Sequence, residues 1–236
     1  MIKSLLFDYG GTLDVPARHW AKVLWEAYQA YDIPITEQQF REAYVFAERH
    51  LATHPVIEPL DNFNILLHKK VELETEELVR LGHWRVKETK RASLSESIAA
   101  YCNDKVIAGL DSTRDILETL SKHYRLIIVS NFYGNLRTVM ADYNLLSYFE
   151  HIVESAVVGV RKPSPEIWQL GVEASGYSAS ECCAIGDSYS KDITPATSLG
   201  CSTIWLKGET WKPEEQTENV ATHTISQLQE LLPILT

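Results

Sequence analysis

Asp8 stands where a short apolar run, Leu5-Leu6-Phe7, meets the glycine pair Gly10-Gly11. Such a run reads as a parallel strand hidden on both faces, and a carboxylate at its end lies where an α/β sheet presents chemistry. The two glycines let the backbone come close enough to a ligand to aim N–H groups at it. Three further apolar runs end in polar residues: Leu126-Ile127-Ile128-Val129 into Ser130-Asn131, Cys182-Cys183-Ala184-Ile185-Gly186 into Asp187, and Ile204-Trp205-Leu206 into Lys207. Strand ends repeated in this way imply one shared crevice.

The elements that must position these residues fall into two groups. Between the Asp8 run and the Leu126 run the sequence is helical. Trp20, Val23, Leu24, Ala27, Tyr28 and Tyr31 recur at helical spacing, with Pro16 near a first turn. Thr36 and Gln39 match a capping box, followed by an apolar face of Phe40, Ala43, Tyr44, Ala47 and Leu51. Helical patterns then cover about Asn62 to Leu73, Glu76 to Lys90 and Leu94 to Tyr101. From Ser112 onward helix and strand alternate: a helix to His123, the Leu126 strand, a helix from Leu136 to Tyr143 and a short strand at His151 to Val153. A helix from Pro165 to Ser175, the Cys182 strand, a helix from Ile193 to Leu199, the Ser202 strand and a closing helix from Ser226 complete the series. Alternation of this kind predicts an α/β, Rossmann-like, mostly parallel sheet with helices on both faces. Residues 1–13 and 106–236 are expected to form this core, and residues 14–105 an inserted α-helical domain.

The 236 residues suffice for one substantial core plus a smaller module. A formal charge of −10, with no cluster of Lys and Arg, excludes a nucleic-acid backbone as partner. No window approaches the ~18 apolar residues of a membrane helix, and the chain begins directly on a strand-like segment. A cytoplasmic location, with no membrane partner, and a monomer or homodimer are expected. Cys102, Cys182, Cys183 and Cys201 lack metal-ligand spacing and read as reduced packing residues.

Asp8-Tyr9-Gly10-Gly11-Thr12, Ser130-Asn131, Lys162-Pro163 and Gly186-Asp187-Ser188-Tyr189-Ser190-Lys191-Asp192 stand in an order and spacing that resembles the haloacid dehalogenase superfamily of phosphohydrolases. The likeness covers nearly the whole chain and extends to a helical cap inserted between the first two motifs. It implies that Asp8 attacks phosphorus to form an aspartyl phosphate, with Ser130 bonding a phosphoryl oxygen and Lys162 offsetting the charge. It further implies a Mg²⁺ cofactor held by Asp8, the Gly10 backbone carbonyl, Asp187 and Asp192. Gly11, Thr12, Ser130, Asn131 and Lys162 would hold the phosphoryl group of a small phosphorylated metabolite.

The departure is at Gly10. Phosphatases of the superfamily usually carry there a second Asp that protonates the leaving oxygen and then activates water. Losing a general acid/base typically forfeits ~10² to 10⁴ in rate. Asp14 is a conceivable substitute, although its expected role is a helix-entry cap. Dehalogenases of the superfamily also lack the second Asp, but they dispense with the acidic residue that Asp187 provides. Phosphonatases carry a small residue at the Gly10 position and use a cap lysine, for which Lys22, Lys69, Lys70, Lys87 and Lys90 are candidates. A phosphonatase-like carbon–phosphorus hydrolase and a catalytically impaired descendant that binds a phosphorylated ligand or a protein are the alternatives. For substrate choice the cap offers Arg18 and Trp20 first, then His19, Arg49, His50 and His54.

Overall fold

A computed structural model describes residues 1–211 and 219–236. Its centre is a six-stranded, all-parallel sheet in the order β3-β2-β1-β4-β5-β6. The strands are β1 (Ser4–Phe7), β2 (Arg125–Ser130), β3 (His151–Glu154), β4 (Cys182–Gly186), β5 (Ser202–Leu206) and β6 (His223–Ile225). From β1 the chain builds outward through β2 and β3, then returns to place β4 on the other side of β1. The crevice between the carboxyl ends of β1 and β4 is therefore the topological switch point, where open α/β sheets bind ligands. Phe7 pairs with Ile128 on one side and Ile185 on the other, so Asp8 emerges between the ends of β2 and β4.

Burial on both faces explains the continuous apolar strands. Leu5, Phe7, Leu126 and Ile128 point into one apolar cluster, and Leu6, Ile127 and Val129 into the other. Cys183 and Cys182 divide between the same two clusters, and all four cysteines are buried and free. The first cluster continues without a break into the inserted helices through Tyr28, Phe40, Leu66 and Leu78.

Those helices are α1 (Trp20–Ala30), α2 (Glu37–Thr53), α3 (Phe63–Arg80) and α4 (Glu88–Ser121). The Thr36–Gln39 capping box opens α2 as expected. Helix α1 begins at Trp20 rather than at Pro16, because the His19 side chain caps it by accepting the Ala21 N–H. The pattern expected from Glu76 to Lys90 is broken. Gly82, at φ +73°, ends α3, and the N–H groups of His83 and Trp84 turn back to the Leu78 carbonyl. The two helices expected at Leu94 to Tyr101 and Ser112 to His123 are one 34-residue helix, α4. No proline or left-handed glycine interrupts it, and Gly109 faces the loop after β1, where a Cβ would stand 4.0 Å from the Asp14 carbonyl oxygen. One turn on, Thr113 Oγ1 donates to the Leu13 carbonyl at 3.1 Å. The expected division at residue 105 thus falls inside a helix that packs against α1 and α3 at one end and β2 at the other.

The remaining helices are α5 (Leu136–Asp142), α6 (Ser155–Val158), α7 (Pro165–Ser175), α8 (Thr194–Ser198) and α9 (Leu231–Leu235). The turn Tyr189–Ile193 is π-helical and runs into α8. The closing helix starts with a tight turn at Leu228, not at Ser226, whose N–H and hydroxyl instead bond Glu230. Strand β6 is short, with His223 and Thr224 exposed, and carries no apolar alternation by which a sequence could announce it.

Candidate active site

Asp8 leaves β1 with its N–H bonded to the Ile185 carbonyl, which anchors it to β4. The chain then turns tightly: Thr12, Leu13 and Asp14 all direct N–H groups to the Tyr9 carbonyl, and Gly11 takes φ +82°. The Asp8 carboxylate receives three side chains. Lys162 Nζ lies 2.5 Å and Ser130 Oγ 3.2 Å from Oδ1, and Thr12 Oγ1 lies 3.4 Å from Oδ2.

Lys162 is buried and bridges two carboxylates, reaching Asp192 Oδ1 at 2.7 Å. Burial works to lower its pKa, but the charges of Asp192 and Asp8 outweigh it and hold the ammonium above its ordinary value. Its Nζ also sits 4.6 Å from the centre of the buried Trp168 ring. Asn131 clasps the lysine's backbone from both sides, donating Nδ2 to the Lys162 carbonyl at 3.1 Å and accepting the Lys162 N–H at 2.8 Å. Its amide therefore aims the lysine. The Gly11 N–H donates to Asp14 Oδ1 at 2.7 Å, so it braces the turn.

Asp8, Asp187 and Asp192 each bring a carboxylate oxygen within 4.8 Å of the others. Burial, together with the charges of Asp8 and Asp192, pushes the Asp187 carboxyl well above the usual carboxylate range. Burial and Asp8 likewise push Asp192 up, against the opposing pull of Lys162. Two glycines make the crowding possible. A Cβ on Gly11 would stand 2.6 Å from Asp187 Oδ2, and one on Gly186 would stand 2.4 Å from Asp192 Oδ2. Mutually repelling oxygen donors, those of Asp8 and Asp192 buried and that of Asp187 half-buried, in a cradle without side chains fit a hard divalent cation such as Mg²⁺. Asp192 already spends Oδ1 on Lys162 and Oδ2 on the Ser188 N–H at 2.9 Å, whereas Asp8 Oδ2 meets Thr12 Oγ1 at the longer distance of 3.4 Å.

Asp14 does not cap a helix. Its Oδ1 accepts the Gly11 and Val15 N–H groups at 2.7 and 2.6 Å, and its Oδ2 accepts the Trp20 indole N–H at 2.8 Å. Burial pushes its carboxyl up to about 7 despite those donors.

A cavity of about 600 Å³ opens above Asp8 and Gly10 and is roofed by the inserted helices. Trp20 and His19 line it, as do the core residues Ser130, Asn131, Lys162, Asp187 and Asp192. Burial and the nearby Lys191 and Lys70 push the His19 imidazole down to about 4. Arg18 stays outside, paired with Glu26 and with Glu209 at 3.2 Å. Arg49, His50 and His54 do not line the cavity either, and His50 and His54 stack on each other at 4.2 Å.

The cavity also holds residues that sequence reasoning missed: Tyr44, Glu48, Phe63, Phe132 and Tyr133. Lys70, one of five cap lysines considered, joins them. It is buried, ion-paired with Glu48, and 4.7 Å above the Tyr44 ring. Tyr133 donates to the same Glu48 oxygen at 3.0 Å. Burial pushes Glu48 up, but Lys70 more than offsets this and holds the carboxylate below its ordinary range. A signal existed for Lys70, since a cation between Leu67 and Val71 stands on an apolar helical stripe.

The family model for haloacid dehalogenase-like hydrolases matches residues 2–200, and the chain belongs to that family. Among relatives, it is 31% identical over 154 residues to a glyceraldehyde 3-phosphate phosphatase of Pyrococcus abyssi, covering 60% of this chain and 62% of that one. It is 29% identical over 134 residues to the pyrimidine 5′-nucleotidase YjjG of Escherichia coli, covering 56% and 58%. The chain thus spans about three fifths of the length of these relatives. Over its full length it is similar in fold to the HAD-hydrolase YfnB of Bacillus subtilis, whose structure is of a magnesium-bound form, with TM-score 0.63, 24% identity and coverage of 100% and 99%. The helical insert between β1 and β2 is consistent with a cap of this family. Among the described residues, no helix is long and apolar enough to cross a membrane.

Proposed function

We propose that the protein is a Mg²⁺-dependent phosphatase of a small phosphorylated metabolite, working through a phosphoenzyme on Asp8. The observation that carries this reading is the Asp8 carboxylate at a strand end, with Lys162 at 2.5 Å, Ser130 at 3.2 Å and Asp187 and Asp192 beside it. The phosphatase and nucleotidase relatives support the same substrate class.

In this reading Asp8 attacks phosphorus, and Lys162 and Ser130 hold the phosphoryl oxygens while charge shifts onto them. Asp8, Asp187, Asp192 and the Gly10 carbonyl would hold Mg²⁺, which supplies charge neutralisation for the transferring phosphoryl group. Asn131 and Trp168 keep Lys162 aimed, and the cap excludes bulk water. Gly10 offers no side chain to protonate the leaving oxygen or to activate water against the phosphoenzyme, so hydrolysis of the intermediate is the slow step.

The carbon–phosphorus alternative requires a neutral cap amine. Among the described residues Lys70 is the cap lysine that lines the cavity, and its pairing with Glu48 holds it protonated against the lowering effect of burial. Nothing in that arrangement favours imine chemistry.

Rapid mixing with 4-nitrophenyl phosphate and Mg²⁺ tests the proposal. A near-stoichiometric burst followed by slow turnover, absent in Asp8→Asn, is the expected result. No release from either protein while Mg²⁺ still binds would reject catalysis and favour a phospho-ligand or protein-binding role.

A further inference from the structure

We propose that Trp20 sets the substrate class of this site, selecting aryl phosphomonoesters by holding a planar leaving group against an aromatic wall beside Gly10. The inference rests on the phosphatase reading. A Cβ placed on Gly10 would meet the Trp20 indole at 3.7 Å (Cδ1) and 3.8 Å (Nε1), so the ring flanks the place where a residue-10 side chain would emerge. It is fixed there, because Nε1 donates to Asp14 Oδ2 at 2.8 Å while Asp14 Oδ1 grips the Gly11 and Val15 N–H groups. The same carboxylate thus positions both the nucleophile's turn and the indole.

From Trp20 the wall continues through an edge contact to Phe63 at 5.2 Å, and Phe63 stacks on Phe132 at 6.3 Å with 21° between the ring planes. The three rings come from the start of α1, the start of α3 and the segment after β2, and all line the cavity with Asp8 and Gly10.

This wall offers apolar ring faces and no proton, since the indole N–H is committed to Asp14. A leaving group beside it must depart as an anion that is stable without help. In the first step an Asp8 oxygen bonds to phosphorus and the P–O bond to the aryl group breaks. The electron pair stays on the phenolate oxygen, which later takes its proton from solvent. Water then bonds to phosphorus, the P–O bond to Asp8 breaks with its electron pair returning to the carboxylate, and the water's proton passes to phosphate or solvent. A phenolate spreads its charge into the ring, whereas the alkoxide of a glycerol or sugar phosphate does not and needs a general acid. Planar rings also meet aromatic side chains favourably at centroid distances of about 4.5–7 Å. Low leaving-group basicity and a planar apolar body coincide in aryl phosphomonoesters.

The test compares 4-nitrophenyl phosphate, acetyl phosphate and glycerol phosphate with Mg²⁺, in the wild type, Trp20→Leu and Phe132→Leu. The wild type should favour the aryl ester over glycerol phosphate by about 10²-fold or more in kcat/KM. Acetyl phosphate, which has a labile leaving group but no ring, should show the higher half-saturation concentration for the rapid-mixing burst, which reads binding ahead of the slow phosphoenzyme step. Each variant should raise that half-saturation concentration for the aryl ester about 3- to 10-fold and shrink the aryl-to-acetyl advantage in proportion. Phe132→Leu leaves the Asp14 brace intact, so it reads the wall even where Trp20→Leu fails to fold.

An unchanged aryl-to-acetyl ratio in both folded variants would overturn the aromatic wall, and equal rates on glycerol and aryl esters would overturn the leaving-group selection. Turnover of acetyl phosphate without turnover of the aryl ester defeats this inference and leaves the phosphatase reading standing. No Asp8-dependent turnover of any of the three removes that reading and this inference with it.

Discussion

At the scale of single residues, Gly10 is the position at which the proposed chemistry has no side chain to act as acid or base. A Cβ there meets Trp20 only at ordinary van der Waals distance, so Gly10→Asp is sterically open at its first atom. Restoring a carboxyl next to the leaving oxygen should raise kcat/KM on alkyl phosphates by about 10- to 10²-fold, within the usual worth of a general acid. Steady-state assays on glycerol phosphate check it, and no gain in a folded, Mg²⁺-binding variant would place the impairment elsewhere. The acidic pair makes a second contrast. Asp187→Asn should weaken Mg²⁺ binding, read by calorimetry, more than Asp192→Asn does, because both Asp192 oxygens are already committed to Lys162 and the Ser188 N–H. Equal losses would make Asp192 a direct ligand of the same weight. Gly10 and Asp187 were legible because they follow strand ends, whereas Asp192, buried in the π-helical turn after β4, was read from its spacing within the motif. Glu48 and Tyr133 were not, because their meaning lies in a contact 85 residues apart in the chain.

At the scale of elements, local signals read well and long-range ones did not. The Thr36–Gln39 box and the Pro165–Ser175 helix are written in neighbouring residues, and both formed as read. The continuity of α4 depends instead on Gly109 and Thr113 docking on the loop after β1, which no local pattern reveals. Among the hydrogen bonds between the cap and the segment running from the loop after β2 into α5 are Tyr133 to Glu48 at 3.0 Å, Asn135 Nδ2 to the Asp61 carbonyl at 2.8 Å and Thr138 to the Pro59 carbonyl at 2.7 Å. Tyr133→Phe removes the first while keeping the ring. It should cost about 1 kcal/mol in closure, a typical net value for one hydrogen bond. That appears as a KM raised roughly 3- to 5-fold with kcat little changed, since about 1.4 kcal/mol corresponds to tenfold. A drop confined to kcat would show that the contact serves the chemistry instead.

At the scale of the whole molecule, a line of buried and half-buried polar groups ties the cap together and makes its stability depend on pH. It runs from Tyr28 on α1 through Glu74 and Lys70 on α3 to Glu48 on α2 and Tyr133 of the core. Glu74 is fully buried, and Tyr28 donates to its Oε2 at 3.0 Å, while Oε1 has no partner among the described residues. Burial pushes its carboxyl from 4.5 up to about 7, with Lys70 and Tyr28 pulling the other way and Glu48 adding to the rise. Between those two values folded Glu74 binds more protons than it does in the unfolded chain, so its contribution to stability falls as pH rises from about 4.5 to 7 and levels off above. The shift is worth at most about 3 kcal/mol. Glu74→Gln keeps the shape and cannot ionise, so it should match the wild type near pH 4.5 and exceed it by up to ~3 kcal/mol at pH 8. Urea unfolding of both proteins across that range, without metal, gives the comparison. In the proposed function Mg²⁺ would bind a different set of carboxylates, Asp8, Asp187 and Asp192, so any stabilisation by Mg²⁺ should be the same in both proteins. Two parallel stability curves for the wild type and Glu74→Gln would instead mean that Glu74 ionises in the folded cap, with Lys70 shared between two carboxylates.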